Sequence, residues 1–295
     1  MHRMQHLFTP AGEAVLRDLL GRRPLMAFDF DGTLTPIVAH PDDARISATV
    51  ATRLAALAAR LPVAILTGRA IADVRGRLGF APRFVIGNHG AEDEFDPAGA
   101  ALHAAALDDL RGALQARTAD LAAAGVLIED KGQSIALHYR LAQERSRALA
   151  LIHDVLLPQR ESLQVFAGKM VVNAMQAGAP DKARAVHGLV ARCGAATAFF
   201  AGDDVNDEPV FASAPEDWLT LRVGREGPHS KARFCLDGPE EMIMLLDHIV
   251  ALCGTIGPPI MTTHGPAGAE PSRDMRTATR TCHEPETDQD RGSAR

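Results

Sequence analysis

Asp29 and Asp31 stand two positions apart in the stretch Phe28-Asp-Phe-Asp-Gly-Thr-Leu-Thr-Pro36, directly after a short apolar run. A charge is expensive to bury without a partner, and two neighbouring carboxylates repel each other. The pair therefore marks either a surface turn or a place where a cation sits between the acids. Thr67, Lys182 and the acids Asp203, Asp204 and Asp207 follow along the chain. Together they make sense as phosphoryl transfer through a carboxylate nucleophile. Asp29 would attack phosphorus in line and become an aspartyl-phosphate. Because phosphate oxygens repel that carboxylate, a divalent cation is required, and Mg²⁺ prefers oxygen ligands. Asp29, the backbone carbonyl of Asp31 and Asp203 would supply them, with Asp204 and Asp207 behind. The Cα of Asp31 is at most roughly 6.5 Å from that of Asp29. Asp31 is thus close enough to protonate the departing alkoxide and then to deprotonate the incoming water, each a general acid–base task of about 10²–10⁴-fold. Gly32 lets the loop turn tightly with its N–H groups toward phosphate, and Thr33 completes it. Thr67 offers a hydroxyl and Lys182 a positive charge to the same oxygens.

These residues need a frame that brings them together, and the apolar pattern supplies one. Pro24–Phe30, Pro62–Leu66 and Arg83–Ile86 read as buried, largely apolar strands, and Ala198–Ala201 and Trp218–Val223 as two further strands. Helical spacing runs over Ser47–Arg60, Ala70–Leu78, Asp181–Cys193, Glu208–Ala214 and Pro239–Leu252, with Ser47 a candidate N-cap. Apolar strands alternating with helices predict an α/β fold with a parallel sheet covered on both faces. Ligands bind such sheets beyond the carboxyl ends of the strands, which is where the polar groups fall.

Between these halves the pattern changes. Val126–Glu129, Ser134–Arg140, Val165–Lys169 and Val171–Met175 alternate apolar and polar residues, and His103–Ala123 and Gln143–Leu157 read as helices. Alternation fits an antiparallel sheet with one face on helices. The expected organisation is a discontinuous core, 1–93 and 177–256, an inserted α+β domain at 94–176, and a disordered tail at 257–295, too rich in Pro, Gly, Thr and charge to pack. On the insert, Ile135, Leu137 and Tyr139 face one way while Ser134, Ala136, His138 and Arg140 face the other, and Glu129 shares a face with Lys131. A polar face of this kind suits a hydroxyl-rich ligand or an ordinary solvated surface.

Composition narrows the classes. The chain of 295 residues carries a formal net charge of −6, which disfavours a nucleic-acid binder with its basic stripe. No apolar run of about 18 residues predicts a membrane span, and no signal peptide is visible. The four widely spaced cysteines form no Cys-x-x-Cys pair, as expected of reduced thiols in a cytoplasmic protein. The partner is expected to be a small molecule; oligomeric state is not legible.

Asp-x-Asp-Gly-Thr at Asp29–Thr33, Thr67-Gly68-Arg69, Lys182, and Gly-Asp-Asp-x-x-Asp at Gly202–Asp207, in this order, resemble the haloacid dehalogenase superfamily of phosphatases. That resemblance implies a Rossmann-like core, Mg²⁺ and an aspartyl-phosphate, with the insert as a cap over the site. Gly-Asn-His-Gly-Ala-Glu at Gly87–Glu92, Glu-x-Lys at Glu129–Lys131, and His-Tyr-Arg at His138–Arg140 further resemble the trehalose-6-phosphate phosphatase family, over roughly residues 7–252. The family likeness implies that Glu129 and Lys131 bind the distal glucose of trehalose 6-phosphate. Arg69, His89, His138 and Arg140 are further candidate substrate contacts. Asn173 stands where the family usually has a sugar-contacting glutamate; its amide still donates and accepts but carries no charge. Alternatives are a phosphatase of sucrose phosphate or a hexose phosphate, and a non-catalytic sugar-phosphate sensor.

Overall fold

The structure is a computed structural model and describes residues 4–38, 40–225 and 230–256. The tail expected at 257–295 lies outside the described residues. The chain opens with a two-residue strand, Gln5–His6 (β1), and a helix, Pro10–Gly21 (α1), whose cap Thr9 accepts from Gly12 N–H at 3.2 Å. Leu25–Asp29 (β2), Ala48–Ala58 (α2), Val63–Leu66 (β3), Ile71–Arg75 (α3) and Phe84–Gly87 (β4) follow. Ser47 caps α2 through its hydroxyl, 3.3 Å from Val50 N–H. Every residue of β2, β3 and β4 is buried, as a central parallel strand requires. A short strand, Glu92–Asp93 (β5), turns back antiparallel on β4.

Next come Pro97–Ala105 (α4), Asp108–Ala116 (α5), Thr118–Ala123 (α6), Leu127–Asp130 (β6), Ser134–His138 (β7), Arg145–Leu156 (α7), Leu163–Gly168 (β8) and Val171–Gln176 (β9). One helix was expected over His103–Ala123, but three short ones are found. The backbone leaves helical geometry at Leu107 (ψ 2°) and at Arg117 (ψ 12°). Leu107, Leu110, Leu114 and Leu121 still share one buried cluster, because their spacing keeps them on one helical face; that periodicity is why the sequence reads as one helix across the breaks.

The chain then forms Lys182–Cys193 (α8), Ala198–Gly202 (β10), Glu208–Ser213 (α9), Leu219–Val223 (β11), Phe234–Leu236 (β12) and Glu241–Ile256 (α10). The main sheet runs β1-β12-β11-β10-β2-β3-β4-β5 and is parallel except at β5. Met26 and Phe28 of β2 pack into one cluster with Leu16, Leu54 and Leu246, while Leu25 and Ala27 pack into another with Val186 and Val210. The sheet is therefore covered on both faces, in keeping with the haloacid dehalogenase fold.

The second sheet runs β6-β7-β9-β8, antiparallel throughout. Ile135, Leu137, Val172 and Ala174 pack on Leu110, Leu114, Ala148 and Ile152 of the helices. The register aligns Glu129, Ala136, Asn173 and Phe166 in one row across the sheet. Strand alternation puts that row on the side away from the helices.

Candidate active site

β2 lies between β3 and β10, with Asp29 paired to Leu66 and Ala201 paired to Phe28. Thr67 and Asp203, each one residue past its strand, are thus brought to either side of Asp29. The side chain of Lys182, at the start of α8, reaches in from below. Its Nζ donates to Asp29 Oδ1 at 2.6 Å and to Asp207 Oδ1 at 2.7 Å, and all three residues are buried. Burial opposes a charge on Lys182, but the two carboxylates outweigh it and hold the ammonium firmly protonated. Asp207 Oδ2 accepts from Asp204 N–H at 3.0 Å, so both Asp207 oxygens are engaged. Asp204 itself is half-buried.

Asp29, Asp203 and Asp207 offer carboxylate oxygens within 4.8 Å of one another. Burial pushes Asp29 well above the usual carboxylate range; Lys182 counters this, and Asp207 and Asp203 add to it. Among the described residues, Lys182 takes only Oδ1 of Asp29, and Lys169 takes only Oδ2 of Asp203, at 2.8 Å. One hard oxygen on each acid is left, which fits a divalent cation such as Mg²⁺. The stability consequence has a definite sign. A carboxyl raised in the fold favours folding while protonated and disfavours it as pH rises through the raised value. Mg²⁺ should therefore raise the melting temperature more at pH 7.5 than at pH 5, by the equivalent of about 2.7 kcal/mol at a hundredfold excess over Kd. Differential scanning fluorimetry with and without Mg²⁺ tests this; an equal shift at both pH values, or none, would count against the cluster as the metal site.

Asp31 sits in a tight loop closed by Gly32 N–H to Thr35 O at 2.8 Å and Leu34 N–H to Phe30 O at 3.0 Å. Gly32 has φ +83°, and a Cβ there would lie 2.2 Å from Asp203 Oδ2. Only glycine meets both demands. The Thr33 hydroxyl is buried and has no hydrogen-bond partner among the described residues. Arg69 grips both Asp31 oxygens at 2.8 Å and also reaches Asp73 at 3.0 Å. Arg69 was expected among the substrate contacts; here it orients Asp31. The buried Thr67 hydroxyl accepts from Arg69 N–H at 3.1 Å.

The polar face of the insert meets this end of the core. Lys131 Nζ donates to Gly68 O at 3.0 Å and lies 3.7 Å from Glu129, and Glu129 Oε2 pairs with His138 Nε2 at 2.8 Å. The His138 contact holds Glu129 below the usual carboxylate range, and burial lowers the Lys131 ammonium. The His89 ring packs over Gly68, where a Cβ would lie 2.3 Å away, and edge-on to Phe166 at 5.0 Å. Burial, then Lys131 and Lys182, push His89 well down, so it is neutral at physiological pH. Asn173 is buried beside it. Arg140 is exposed beyond β7 and makes no hydrogen bond or ion pair among the described residues.

The structure also brings in residues given no role from sequence. Lys169, at the β8–β9 turn, touches Asp203. Asn88 and Glu92 join the core to the insert. A lysine at the tip of a hairpin was the one readable signal for the first. A cavity of about 620 Å³, lined by Gly32, Lys169, Asp203, Asp204 and Arg222 among others, opens on the β11 side. It does not extend to Glu129 or Lys131, where insert and core are in direct contact. A second group with metal-ligand chemistry, His6, Asp237 and Glu241, is spoken for. Phe8 N–H donates to His6 Nδ1 at 3.3 Å, which leaves Nε2 to carry the proton toward Glu241.

The profile of the trehalose-phosphatase family matches residues 27–234. A trehalose-phosphate phosphatase of Mycolicibacterium paratuberculosis is 36% identical over 243 residues, covering 75% of this chain and 60% of that protein. One from Mycobacterium marinum is 30% identical over 252 residues, covering 80% of this chain and 63% of its own. The chain thus spans about 60% of the length of these curated relatives. Among solved structures, the C-terminal domain of the trehalose-6-phosphate phosphatase of C. albicans superimposes with a TM-score of 0.70 at 20% identity, covering 84% of this chain and 98% of that one. A trehalose-6-phosphate phosphatase related protein gives 0.64 at 24% identity, covering 78% and 99%. At these identities the superpositions speak for the fold.

Proposed function

The chain belongs to the trehalose-phosphatase family, and from that premise we propose that it hydrolyses trehalose 6-phosphate to trehalose and phosphate, with Mg²⁺, through a phosphate carried on Asp29. The observation that carries this reading is the meeting of two faces. The Asp29–Asp203–Asp207 cluster lies at the strand ends of the core, and Lys131 of the insert reaches Gly68 beside it at 3.0 Å.

An Asp29 oxygen forms a bond to phosphorus as the bond from phosphorus to the sugar oxygen breaks. Asp31, once protonated, gives its proton to that oxygen and then takes one from the water that attacks phosphorus, freeing phosphate and restoring Asp29. Arg69 keeps the Asp31 carboxyl aimed until the substrate displaces one arm of the fork. Lys182 stays charged and steadies the negative charge around Asp29 and the phosphoryl oxygens. The Thr67 hydroxyl and the unpartnered Thr33 hydroxyl are placed to bind those oxygens. Mg²⁺, held by Asp29, Asp203 and the Asp31 carbonyl, with Asp204 and Asp207 behind, would screen phosphate from carboxylate. Residues 94–176 act as the cap, with Glu129, Lys131, His138 and Asn173 facing the sugar, His89 at the junction and Arg140 at the rim. Among the described residues no helix is long and apolar enough to cross a membrane, and Cys193, Cys235 and Cys253 are free thiols; a cytoplasmic enzyme is consistent with both.

Phosphate release from a panel of sugar phosphates with Mg²⁺ tests the reading. Preference for trehalose 6-phosphate is expected. Preference for sucrose or hexose phosphates would reassign the substrate, and binding without turnover would make the chain a sensor. Glu129→Ala gives a sharper result. A hydrogen bond to a charged group is worth about 1.5–3 kcal/mol, so kcat/KM for trehalose 6-phosphate should fall roughly 10–100-fold. p-Nitrophenyl phosphate, which has no distal ring, should lose far less. Equal losses on both would mean that Glu129 holds the insert together and does not read sugar.

A further inference from the structure

Asn88 is fully buried in a backbone conformation that most residues avoid. Its φ is +48° and that of His89 is +58°, followed by Gly90 at +120°. Consecutive left-handed non-glycine residues are costly and persist only where the surroundings hold them. Here two backbone bonds do so: Asn88 N–H to Arg69 O and His89 N–H to Thr67 O, both 2.9 Å. The main chain of Asn88 is thereby tied to the loop that carries Thr67 and Arg69.

The Asn88 side chain faces the other way chemically. Its Nδ2 donates to Glu92 Oε2 at 2.7 Å, Gln133 Oε1 at 3.1 Å and Lys131 O at 3.2 Å, while its Oδ1 accepts from the Ser134 hydroxyl at 2.6 Å. Three of these four partners belong to the β6–β7 hairpin of the insert, whose turn carries Lys131. Glu92 is itself fixed, accepting from Ile71 N–H at 2.8 Å. One residue therefore binds the phosphate side of the site through its backbone and the sugar side through its amide.

We infer that Asn88 is a positioning residue that sets the separation between the Thr67–Arg69 loop and the Lys131 turn, and so selects substrates whose phosphate and distal hydroxyls are spaced to fit that gap. The inference rests on the sugar-phosphate reading above. Asn88 touches no reacting atom. It acts through Lys131, whose Nζ already spans the gap to Gly68 O. A phosphate ester with nothing beyond its leaving oxygen gains little from a fixed gap; a disaccharide phosphate gains from contacts at both ends at once.

Asn88→Gly is the informative substitution, because glycine accepts the positive φ and only the amide is lost. For trehalose 6-phosphate, KM should rise and kcat/KM should fall about 10–100-fold, with a much smaller change for p-nitrophenyl phosphate. In a Lys131→Ala background the same substitution should cost little more, since both changes disable one device. Ser134→Ala, which removes one bond from the insert side, should move the same parameters in the same direction by less. Its milder effect keeps the test open if Asn88→Gly folds poorly. Hydrogen–deuterium exchange, measured without substrate, should quicken at 130–134 in Asn88→Gly and stay unchanged in α8. Equal losses on both substrates, losses that multiply with Lys131→Ala, or unchanged exchange at 130–134 would each overturn the inference. If the wild-type protein instead prefers another phosphate ester, the substrate reading falls, and the exchange result still decides whether Asn88 pins the turn.

Discussion

Asp29→Asn should turn over no phosphate ester at a measurable rate, a loss of about 10⁴-fold or more, as expected when a covalent nucleophile is removed. The change is nearly isosteric and takes away the charge that burial and the neighbouring Asp203 and Asp207 already oppose. Lys182 keeps its bond to Asp207 at 2.7 Å. The variant should therefore fold, with a melting temperature at or above that of the wild type in the absence of metal, and its response to Mg²⁺ should shrink. Circular dichroism and a phosphate-release assay with both sugar and aryl esters test this. Activity near the wild-type level in a folded Asp29→Asn protein would end the case for an aspartyl-phosphate.

Asp31→Asn should separate the two half-reactions. A sugar alkoxide must be protonated as it departs, whereas p-nitrophenolate leaves without help. Turnover of trehalose 6-phosphate should fall by about 10²–10⁴-fold, the span of a general acid. With p-nitrophenyl phosphate, Asp29 still takes the phosphoryl group, but the water that would release it lacks a base. A burst of p-nitrophenolate approaching one equivalent per site should precede slow turnover. Mass spectrometry after acid quenching should find phosphate on the peptide containing Asp29. The structure adds a control. Arg69 grips both oxygens of Asp31 but also holds Asp73, so the guanidinium stays in place when Asp31 loses its charge. Saturating Mg²⁺ should accompany each assay, so that a weakened metal site is not read as lost chemistry. Steady turnover of both esters with no burst would assign the proton transfers elsewhere.

The catalytic end of the core was legible because its strands are apolar throughout. Leu25–Asp29, Val63–Leu66 and Ala198–Gly202 have no polar interior residue, so the first polar groups after them had to lie at the strand ends. Alternation likewise separated Ile135 and Leu137 from Ser134 and Ala136. What escaped depends on tertiary contact. β1 and β12 have two and three residues, too few to show a period. The breaks at Leu107 and Arg117 interrupt a run whose leucines keep helical spacing, so the apolar pattern does not reveal them. Arg69 reads from sequence as a candidate substrate contact; that its guanidinium binds Asp31 and Asp73 is visible only in the folded chain. Asn88 and Lys169 gain their roles only when the insert lies on the core, and no local spacing announces that. For α1, Thr9 followed by Pro10 is a readable helix start.

The position of β2 in the sheet also dictates the order in which a new chain can mature. On one side β2 pairs with β3, which is synthesised soon after it; on the other it pairs with β10, which emerges only after the whole insert, and β1 waits still longer for β12. The insert is held by antiparallel neighbours close in sequence, so it can settle early, while the distant parallel pairings form late and slowly. Until then a nascent chain displays Asp29 and Asp31 with no Asp203 beside them, on a strand whose β10-facing edge is open. Such an edge is the kind that recruits other chains. The step that docks β10 covers the exposed edge of β2 and brings Asp203 to Asp29 together, and the new edge on β10 is covered in turn by β11 and β12.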